Sequence, residues 1–211
     1  MKPRPFLERA LDWLYPPSCP GCGSEGYGFC EKCRCGIVPQ HEKLGSGLEV
    51  HAAGLYGQEL RSALLQTKML GYTYYIYALA EAMLRAIPER LRGKFPVSVV
   101  PIPPSKRRLR RRGYHCPYLL GRELVRQEAA FVYRPDLLSL TRELAEQKTL
   151  SRAQRFANVK NAYAANGGRG LYVLLVDDVL TTGASVYEAA QALYRSGAMR
   201  VEVSVLGLRK R

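Results

Sequence analysis

The residues with the clearest chemical potential follow an apolar run near the carboxyl end of the chain. Residues 171–176 are almost entirely apolar, and Asp177 and Asp178 come directly after them. Two adjacent carboxylates at the end of a buried strand need a partner, because an unpaired buried charge is costly. Ribose hydroxyls or a hydrated Mg²⁺ would satisfy them.

The residues after the two aspartates have the composition of an anion site. The backbone N–H groups of a short loop, together with the N-terminus of the next helix, attract phosphate, and hydroxyl side chains add donors. The alternative is a solvated strand end at which one Ser or Thr caps the helix. That alternative explains one hydroxyl group, whereas the segment supplies Thr181, Thr182, Gly183, Ala184 and Ser185.

Four cysteines near the N-terminus have the spacing of metal ligands. Cys19 and Cys22 form one Cys-x-x-Cys pair, and Cys30 and Cys33 form a second. Two such pairs can supply four thiolates to a tetrahedral Zn²⁺, which leaves no open position and therefore predicts a structural site. Disulfides or unpaired reduced cysteines are the alternatives, and Cys35 could replace Cys33.

The charge balance indicates anionic partners. The chain has 211 residues and a formal net charge of +14 at pH 7, with 47% hydrophobic residues, a composition that excludes wholesale disorder. The basic character belongs to the body of the chain, since residues 101–150 contain eleven basic and five acidic side chains while residues 1–50 are balanced. No run approaches the roughly 20 apolar residues of a membrane span, and charges interrupt any signal-peptide core, so we expect a cytoplasmic protein without membrane insertion.

The elements that must position these residues alternate between strands and helices. This alternation predicts an α/β fold with a parallel sheet covered by helices on both faces. Strands are predicted at 49–56, 97–100, 137–140, 171–176 and 201–208. Helices are predicted at 6–15, 60–70, 74–91, 118–129, 153–159 and 185–196.

The segment 173–185 resembles the thirteen-residue signature for phosphoribosyl pyrophosphate (PRPP) of type I phosphoribosyltransferases. The match covers the whole pattern of apolar residues, two aspartates, two threonines, glycine, alanine and serine. The resemblance implies that Asp177 and Asp178 hold the ribose hydroxyls and act as the catalytic acidic pair, with Mg²⁺ bound alongside PRPP. It also implies that the 5′-phosphate binds to Thr181, Thr182, Gly183, Ala184 and Ser185.

The wider chain is similar to the ComF family over roughly residues 13–210. The resemblance implies an N-terminal helix and a four-cysteine module that binds zinc over 1–48. It also implies a type I phosphoribosyltransferase-like domain over 49–211. One departure is that His115-Cys116 stands where the family commonly has Asn-Gln. The similarity rests on Val100-Pro101-Ile102-Pro103, Arg112-Gly113-Tyr114, Arg142, Gln147, Leu150, Arg152, Arg155 and Asn158-Val159.

A dense basic segment follows the predicted strand at 97–100. In type I phosphoribosyltransferases the corresponding loop contacts pyrophosphate, for which two or three cations suffice. The remaining basic side chains could contact a nucleic-acid backbone, and the alternative is a basic surface exposed to solvent. The candidate contacts for diphosphate or DNA are Lys106, Arg107, Arg108, Arg110, Arg111 and Arg112.

Three further features have weaker interpretations. Tyr72, Tyr74, Tyr75 and Tyr77 could stack on unpaired bases, although packing explains them better. His41, His51 and His115 have no partner spacing and favour structural roles, and Cys116 favours a small buried side chain. The segment 141–162 resembles the mobile loop that closes over PRPP in this superfamily, or is a solvent-exposed connector.

The resemblance to ComF implies a competence protein that binds PRPP, or a related phosphoribosyl ligand, with Mg²⁺. Such a protein handles single-stranded DNA during natural transformation, with other proteins of the competence machinery as possible partners. The alternatives are an active phosphoribosyltransferase with an unknown acceptor and a sensor that binds the phosphosugar without turnover.

Overall fold

The computed structural model describes residues 18–26, 28–45, 47–70, 75–93, 95–105, 109–110, 114–145 and 151–209. The strands are β1 (Gln40–Leu44), β2 (Leu48–Leu55), β3 (Val97–Pro101), β4 (Phe131–Tyr133), β5 (Leu138–Leu140), β6 (Tyr163–Ala165), β7 (Tyr172–Leu180) and β8 (Arg200–Leu208). The helices are α1 (Glu31–Gly36), α2 (Gln58–Leu70), α3 (Ile76–Ala86), α4 (Cys116–Gln127), α5 (Arg152–Val159) and α6 (Ala184–Arg195), with a 3-10 turn at Glu89–Leu91.

Within the described ranges, six strands form one sheet in the order β1-β2-β8-β7-β3-β4. All neighbouring pairs are parallel except β1 and β2, which are antiparallel. The central strands β3, β7 and β8 are largely apolar because helices cover both faces of the sheet. The predicted α/β class with a mostly parallel sheet is therefore confirmed.

Two apolar layers hold the helices against the sheet. Leu174 of β7 packs on one face with Met83 of α3 and Leu120 of α4. The next residue, Leu175, points to the other face and packs in the same cluster as Leu193 of α6. Successive residues of a strand alternate between faces, and full burial of each such side chain contributes roughly 1.5–3 kcal/mol.

Strand β7 is longer than the sequence predicts. Its pairing with β3 ends where Pro101 lies opposite Val176, whereas its pairing with β8 continues to Leu180 opposite Leu208. Asp177 and Asp178 therefore lie on the last part of β7 and not after it. The apolar run predicts a strand that ends at residue 176, but the ladder with β8 consists of backbone hydrogen bonds and does not need apolar side chains.

The helix predicted at 74–91 is shorter in the structure. Helix α3 ends at Ala86, and Ile87 has extended backbone dihedrals, φ −74° and ψ 123°. The cause is Pro88, whose ring disfavours helical dihedrals at the residue before it. None of the helices in the described ranges combines the length and the apolar character that crossing a bilayer requires.

A small hairpin-like pair lies outside the main sheet. β5 and β6 are antiparallel, with Leu138 opposite Ala165. Helix α5 lies between them in the chain and begins with a reciprocal capping box formed by Ser151 and Gln154. The structure confirms the strand and helix predicted at 137–140 and 153–159, while β6 was not predicted.

The cysteine-rich segment packs against α2. The Gln66 amide donates a hydrogen bond to the Pro20 carbonyl, 3.3 Å away, and Ser18 Oγ lies 3.1 Å from the Tyr75 hydroxyl. The helix predicted at 6–15 lies outside the described residues. The domain boundary after residue 48 stays a prediction; β1 lies before it and pairs with β2.

Candidate functional site

Asp177 and Asp178 lie near the carboxyl end of β7, where this strand still pairs with β8. Both side chains are half-buried. The Asp178 backbone N–H donates to Asp177 Oδ1 at 2.8 Å, and the Val179 N–H donates to Asp178 Oδ1 at 2.7 Å. These two bonds hold one oxygen of each carboxylate against the backbone, so that both aspartates are fixed in orientation at the edge of the sheet.

A tight turn connects the acidic strand end to α6. Gly183 has φ 79°, in the left-handed region that favours glycine, and its carbonyl accepts the Tyr187 N–H of α6 at 2.9 Å. A Cβ at Gly183 would lie 2.9 Å from Leu44 Cδ1, so β1 packs closely under the turn. Of the five predicted phosphate residues, Thr181, Thr182 and Gly183 form the turn, and Ala184 and Ser185 are the first two residues of the twelve-residue helix α6.

The end of β3 lies beside the acidic pair. The Ile102 N–H donates to the Val176 carbonyl at 2.9 Å, one residue before Asp177. The Ile102 carbonyl in turn accepts a hydrogen bond from His115 Nε2 at 2.8 Å, and the His115 side chain is buried. His115 therefore ties the loop after β3 to the start of α4, a role that no motif in the sequence indicated.

A cavity of about 430 Å³ opens next to this loop. Burial raises the pKa of the Tyr118 phenol in its wall, whose ring stands edge-on to His115 with centroids 5.3 Å apart. Asp177 and Asp178 are not among the described residues that line the cavity. The cavity and the acidic pair nevertheless lie at the carboxyl ends of adjacent strands. The wall consists of Pro103, Pro104, Tyr118, Pro135, Asp136, Leu138, Ser139, Leu140, Thr141, Arg142 and Glu143.

The four predicted cysteine ligands come together at the N-terminal segment. The Sγ atoms of Cys19, Cys22, Cys30 and Cys33 all lie within 4.8 Å of one another, and those of Cys22 and Cys30 are 3.7 Å apart. Four thiolates about 2.3 Å from a tetrahedral zinc would be separated by roughly 3.8 Å, so the donor set and its spacing suit that ion. The cluster contains Cys33 and not the exposed Cys35.

The thiols of this cluster differ in acidity. A hydrogen bond with the Ser24 hydroxyl is the main reason that the pKa of Cys22 is lowered to about 6. Burial raises the pKa of the Cys33 thiol. A metal ion would have to displace the proton from the buried Cys33, whereas the exposed Cys22 is already largely a thiolate at neutral pH.

The sequence has relatives along most of its length. It is 29% identical to the DNA utilization protein YhgH of Escherichia coli strain K12, over 84% of this chain and 88% of that protein. It is 27% identical to competence protein F of Haemophilus influenzae, over 89% of this chain and 82% of that protein. A shorter match to competence protein ComFC of Bacillus subtilis, 31% identical, covers 47% of this chain and 39% of that protein.

The resemblance to the ComF family that the sequence predicts is confirmed by these relatives. No protein-family model matches the sequence. Among solved structures, the allosteric regulatory enzyme of purine biosynthesis matches 62% of this chain and 25% of its own, with 20% identity and a TM-score of 0.38.

The basic segment at 106–112 is described only in part. Arg110 is exposed, and the neighbouring Leu109 N–H donates to the Ser105 carbonyl at 3.1 Å. Lys106, Arg107, Arg108, Arg111 and Arg112 lie outside the described residues, so their proposed contacts with diphosphate or DNA stay predictions.

The tyrosine group divides into different environments. Tyr75 is buried, whereas the side chain of Tyr77 is 57% exposed on α3. Tyr72 and Tyr74 lie outside the described residues. The expectation that Cys116 is a small buried side chain is confirmed, since it belongs to the core on the α3 and α4 face of the sheet.

The two ends of the segment 141–162, which resembles a mobile loop, are joined by hydrogen bonds. Arg142 donates hydrogen bonds to the carbonyls of Asn158 and Lys160, and the Asn158 side chain bonds both backbone groups of Ala145. These contacts join residues 142–145 to residues 158–160, and residues 146–150 lie outside the described part of the chain. Closure over a ligand stays a prediction.

A polar cluster that sequence reasoning missed lies at the other end of the sheet. His41 and His51 face each other across β1 and β2, with their Nδ1 atoms 3.0 Å apart. His51 Nε2 also lies 2.6 Å from Glu202, which two arginines contact. Their pairing depends on β1, a mostly polar strand without the apolar alternation by which strands are recognised.

Proposed function

We propose that this ComF-family protein binds PRPP together with Mg²⁺ at the carboxyl end of β7 and handles single-stranded DNA. The observation that carries the proposal is the arrangement of Asp177 and Asp178 directly before a tight turn that opens the N-terminus of α6. Carboxylates and an anion site side by side match a ligand that has both ribose hydroxyls and a phosphate.

The two parts of this site have different roles. The amides and hydroxyls of the turn bind the 5′-phosphate, aided by the partial positive charge of the helix N-terminus. Asp177 and Asp178 accept hydrogen bonds from the ribose hydroxyls, and the hydrated Mg²⁺ offsets the charge of the diphosphate. Gly183 gives the turn its left-handed residue without a side chain that would collide with Leu44.

The DNA role is supported by charge and by relatives. The relatives over most of the chain are named for DNA utilization and competence. The net charge of +14 favours a polyanionic partner, and the segment 106–112 contains six of the basic side chains. DNA binding through this segment should weaken as the salt concentration rises, because binding releases counterions from the DNA phosphates and added salt opposes that release.

The cysteine cluster would hold a structural zinc ion in this scheme. Four thiolates fill the coordination shell, so the ion would leave no position for a substrate. Its role is to fix the loop 19–33 against α2, where Gln66 holds the Pro20 carbonyl.

An active phosphoribosyltransferase is the second candidate function, favoured by the cavity beside the loop after β3. In such a reaction an acceptor nitrogen forms a bond to C1′ of PRPP. The bond from C1′ to the diphosphate oxygen breaks, the diphosphate leaves with the electron pair, and the nitrogen loses its proton to water. The acidic pair would stabilise the positive charge that develops on the ribosyl carbon.

Calorimetry with PRPP tests the first proposal. We expect PRPP to bind in the presence of Mg²⁺ and the affinity to fall at least tenfold in Asp177→Asn/Asp178→Asn. Glu81→Gln, which removes one exposed carboxylate on α3, serves as the matched control and should bind PRPP as the wild type does. If wild-type protein binds neither PRPP nor ribose 5-phosphate with Mg²⁺ present, the proposed site is wrong.

Release of diphosphate distinguishes the second candidate. Steady release from PRPP in the presence of free bases, lost in the aspartate double variant, would indicate an enzyme. Binding of PRPP without release would indicate a protein that uses the phosphosugar as a signal.

A further inference from the structure

Two histidines face each other at the edge of the six-stranded sheet. His41 of β1 and His51 of β2 are direct partners in the antiparallel register, and their Nδ1 atoms lie 3.0 Å apart. The side chain of His41 is exposed, whereas that of His51 is buried. One nitrogen atom of each ring is therefore directed at the other ring, and the pair lies where the buried interior meets the surface.

The contact between His51 and Glu202 determines which nitrogen of His51 has a free lone pair. Glu202 Oε2 lies 2.6 Å from His51 Nε2, and both side chains are buried. A carboxylate only accepts hydrogen bonds, so Nε2 is the donor and carries the proton. In the neutral ring Nδ1 then has its lone pair directed towards His41. Histidines that bind metal ions typically have this arrangement, in which the second nitrogen donates to a carboxylate.

The separation of the two Nδ1 atoms is that of neighbouring ligands on one metal ion. With metal–nitrogen distances of about 2.0–2.1 Å, a separation of 3.0 Å corresponds to an angle of roughly 95° at the metal. Tetrahedral ligands at the same distances would be about 3.4 Å apart. The angle is close to the right angle of tetragonal sites, which Ni²⁺ and Cu²⁺ adopt with nitrogen ligands.

A cavity of about 320 Å³ adjoins the two rings and has both of them in its wall. Two imidazoles fill only two coordination positions, and the cavity has room for the water molecules or the small ligand that would complete the coordination. Glu42 and Lys43 also line the cavity and have opposite charges.

The remaining charged groups around the pair balance one another. Arg90 contacts Glu49 and Glu202, and Arg200 contacts the same two carboxylates. Two guanidinium groups therefore offset two carboxylates. A cation that enters here meets no excess of positive charge, although the formal net charge of the whole chain is +14.

We propose that His41 and His51 bind one divalent transition-metal ion through their Nδ1 atoms, in a site of tetragonal geometry. The site is distinct from the four-cysteine cluster, whose thiolates suit zinc, and from the proposed PRPP site at the carboxyl end of β7. It depends on neither of them. The bound ion would join the edge strand β1 to β2.

Calorimetry with Ni²⁺ tests the proposal on full-length protein without a histidine tag, after the cysteine cluster has been loaded with zinc and free zinc has been removed. We expect about one Ni²⁺ to bind per chain. His41→Gln alters an exposed side chain and should weaken the affinity at least tenfold, because one of the two ligands is lost. Lys43→Gln is the matched control, two residues further along the same strand and in the wall of the same cavity. It should bind Ni²⁺ at least as tightly as the wild type does.

NMR of the histidine rings locates the ion, because the chain has three histidines. In the ion-free protein, the ring nitrogen shifts of His51 should show the proton on Nε2. Added Ni²⁺ should shift or broaden the signals of His41 and His51 and leave those of His115, buried at the start of α4, unchanged. Asp177→Asn/Asp178→Asn should give the same pattern, since those carboxylates are not part of this site.

Four results would overturn the proposal. They are no Ni²⁺ binding at millimolar concentration, equal affinity in His41→Gln and Lys43→Gln, a proton on Nδ1 of His51 in the neutral ring, and perturbation of His115 in place of the pair. Any of them would mean that the two rings share only a hydrogen bond. Failure of PRPP to bind would leave this inference intact, because the Ni²⁺ measurements need no PRPP.

Discussion

The Nε2 atom of His51 lies 2.6 Å from a carboxylate oxygen of Glu202, and both side chains are almost completely buried. Arg90 reaches both oxygens of the same carboxylate, and Arg200 Nε lies 2.6 Å from one of them. Glu202 is therefore the centre of a charged cluster that joins β2, β8 and the 3-10 turn. Arg90 and Arg200 are partly exposed and also contact Glu49, whereas the Glu202 carboxylate is buried, so its charge is stabilised by the hydrogen bonds from its partners.

We expect Glu202→Gln to lower the free energy of unfolding by about 3 kcal/mol at pH 7, because the lowered pKa of Glu202 corresponds to a stabilisation of about that size. The amide preserves the shape but removes the charge that pairs with Arg90 and Arg200. Urea denaturation measures the change, with Glu81→Gln as a control that should stay within about 0.5 kcal/mol of the wild type. A Glu202→Gln protein as stable as the control would mean that the cluster contributes little to stability.

The same carboxylate makes stability depend on pH in the acid range. Burial alone would raise the pKa of Glu202, but hydrogen bonds from His51 and Arg90 outweigh burial and lower it from 4.5 to about 2. Because the folded pKa is below the unfolded one, the stabilisation is complete above about pH 4.5 and is lost as the pH falls towards 2. The stability difference between wild type and Glu202→Gln should shrink by about 3 kcal/mol over this interval. A difference that stays constant from pH 5 to pH 2.5 would contradict the assignment.

Gly183→Ala tests the turn before α6. The left-handed backbone at this position costs an alanine about 1–2 kcal/mol, and its Cβ would also press on Leu44. Gly170 provides a matched control, since it has φ 73° and no atom within 4 Å of an added Cβ. Both variants should lose stability in thermal unfolding, but only Gly183→Ala should weaken PRPP binding, by about tenfold or more. Equal PRPP affinity in the two variants would exclude the turn as part of the site.

The fold and the acidic site were largely predictable because their signals are local. The apolar run before Asp177 indicates a buried strand, and the glycine and hydroxyl residues after it indicate a turn into a helix. The paired Cys-x-x-Cys motifs likewise predict a cluster from spacing alone. In these cases the residues that act together are near neighbours in the sequence.

What could not be predicted depends on contacts between distant segments. The bond from His115 to the Ile102 carbonyl requires knowing that α4 begins beside the end of β3. The pairing of His41 with His51 requires β1, which has no apolar alternation, and the cavity is enclosed by three separate segments. Such arrangements arise from the packing of the whole sheet and not from local spacing.

The cysteine cluster predicts a selective effect of two neighbouring substitutions. We expect purified wild-type protein to contain about one zinc per chain, and Cys33→Ser to lose most of it because one of four thiolates is removed. Cys35→Ser is the matched control, two residues away and outside the cluster, and should retain the metal. Elemental analysis after gentle purification measures the ratio. Equal zinc content in the two variants would mean that Cys33 is not a ligand.

The basic segment predicts a change in the salt dependence of DNA binding. Each cation that contacts a phosphate of single-stranded DNA contributes about 0.7 to the slope of the logarithm of the binding constant against that of the salt concentration. Arg110→Gln/Arg111→Gln/Arg112→Gln should therefore reduce the slope by about 2 if all three contact the strand. Neutralising Arg61, Arg126 and Arg169 removes the same charge from exposed positions elsewhere and controls for the net charge. Titrations of a labelled oligonucleotide at several salt concentrations give both slopes. Equal slopes in the two triple variants would show that the charge of the whole protein, and not this segment, attracts the DNA.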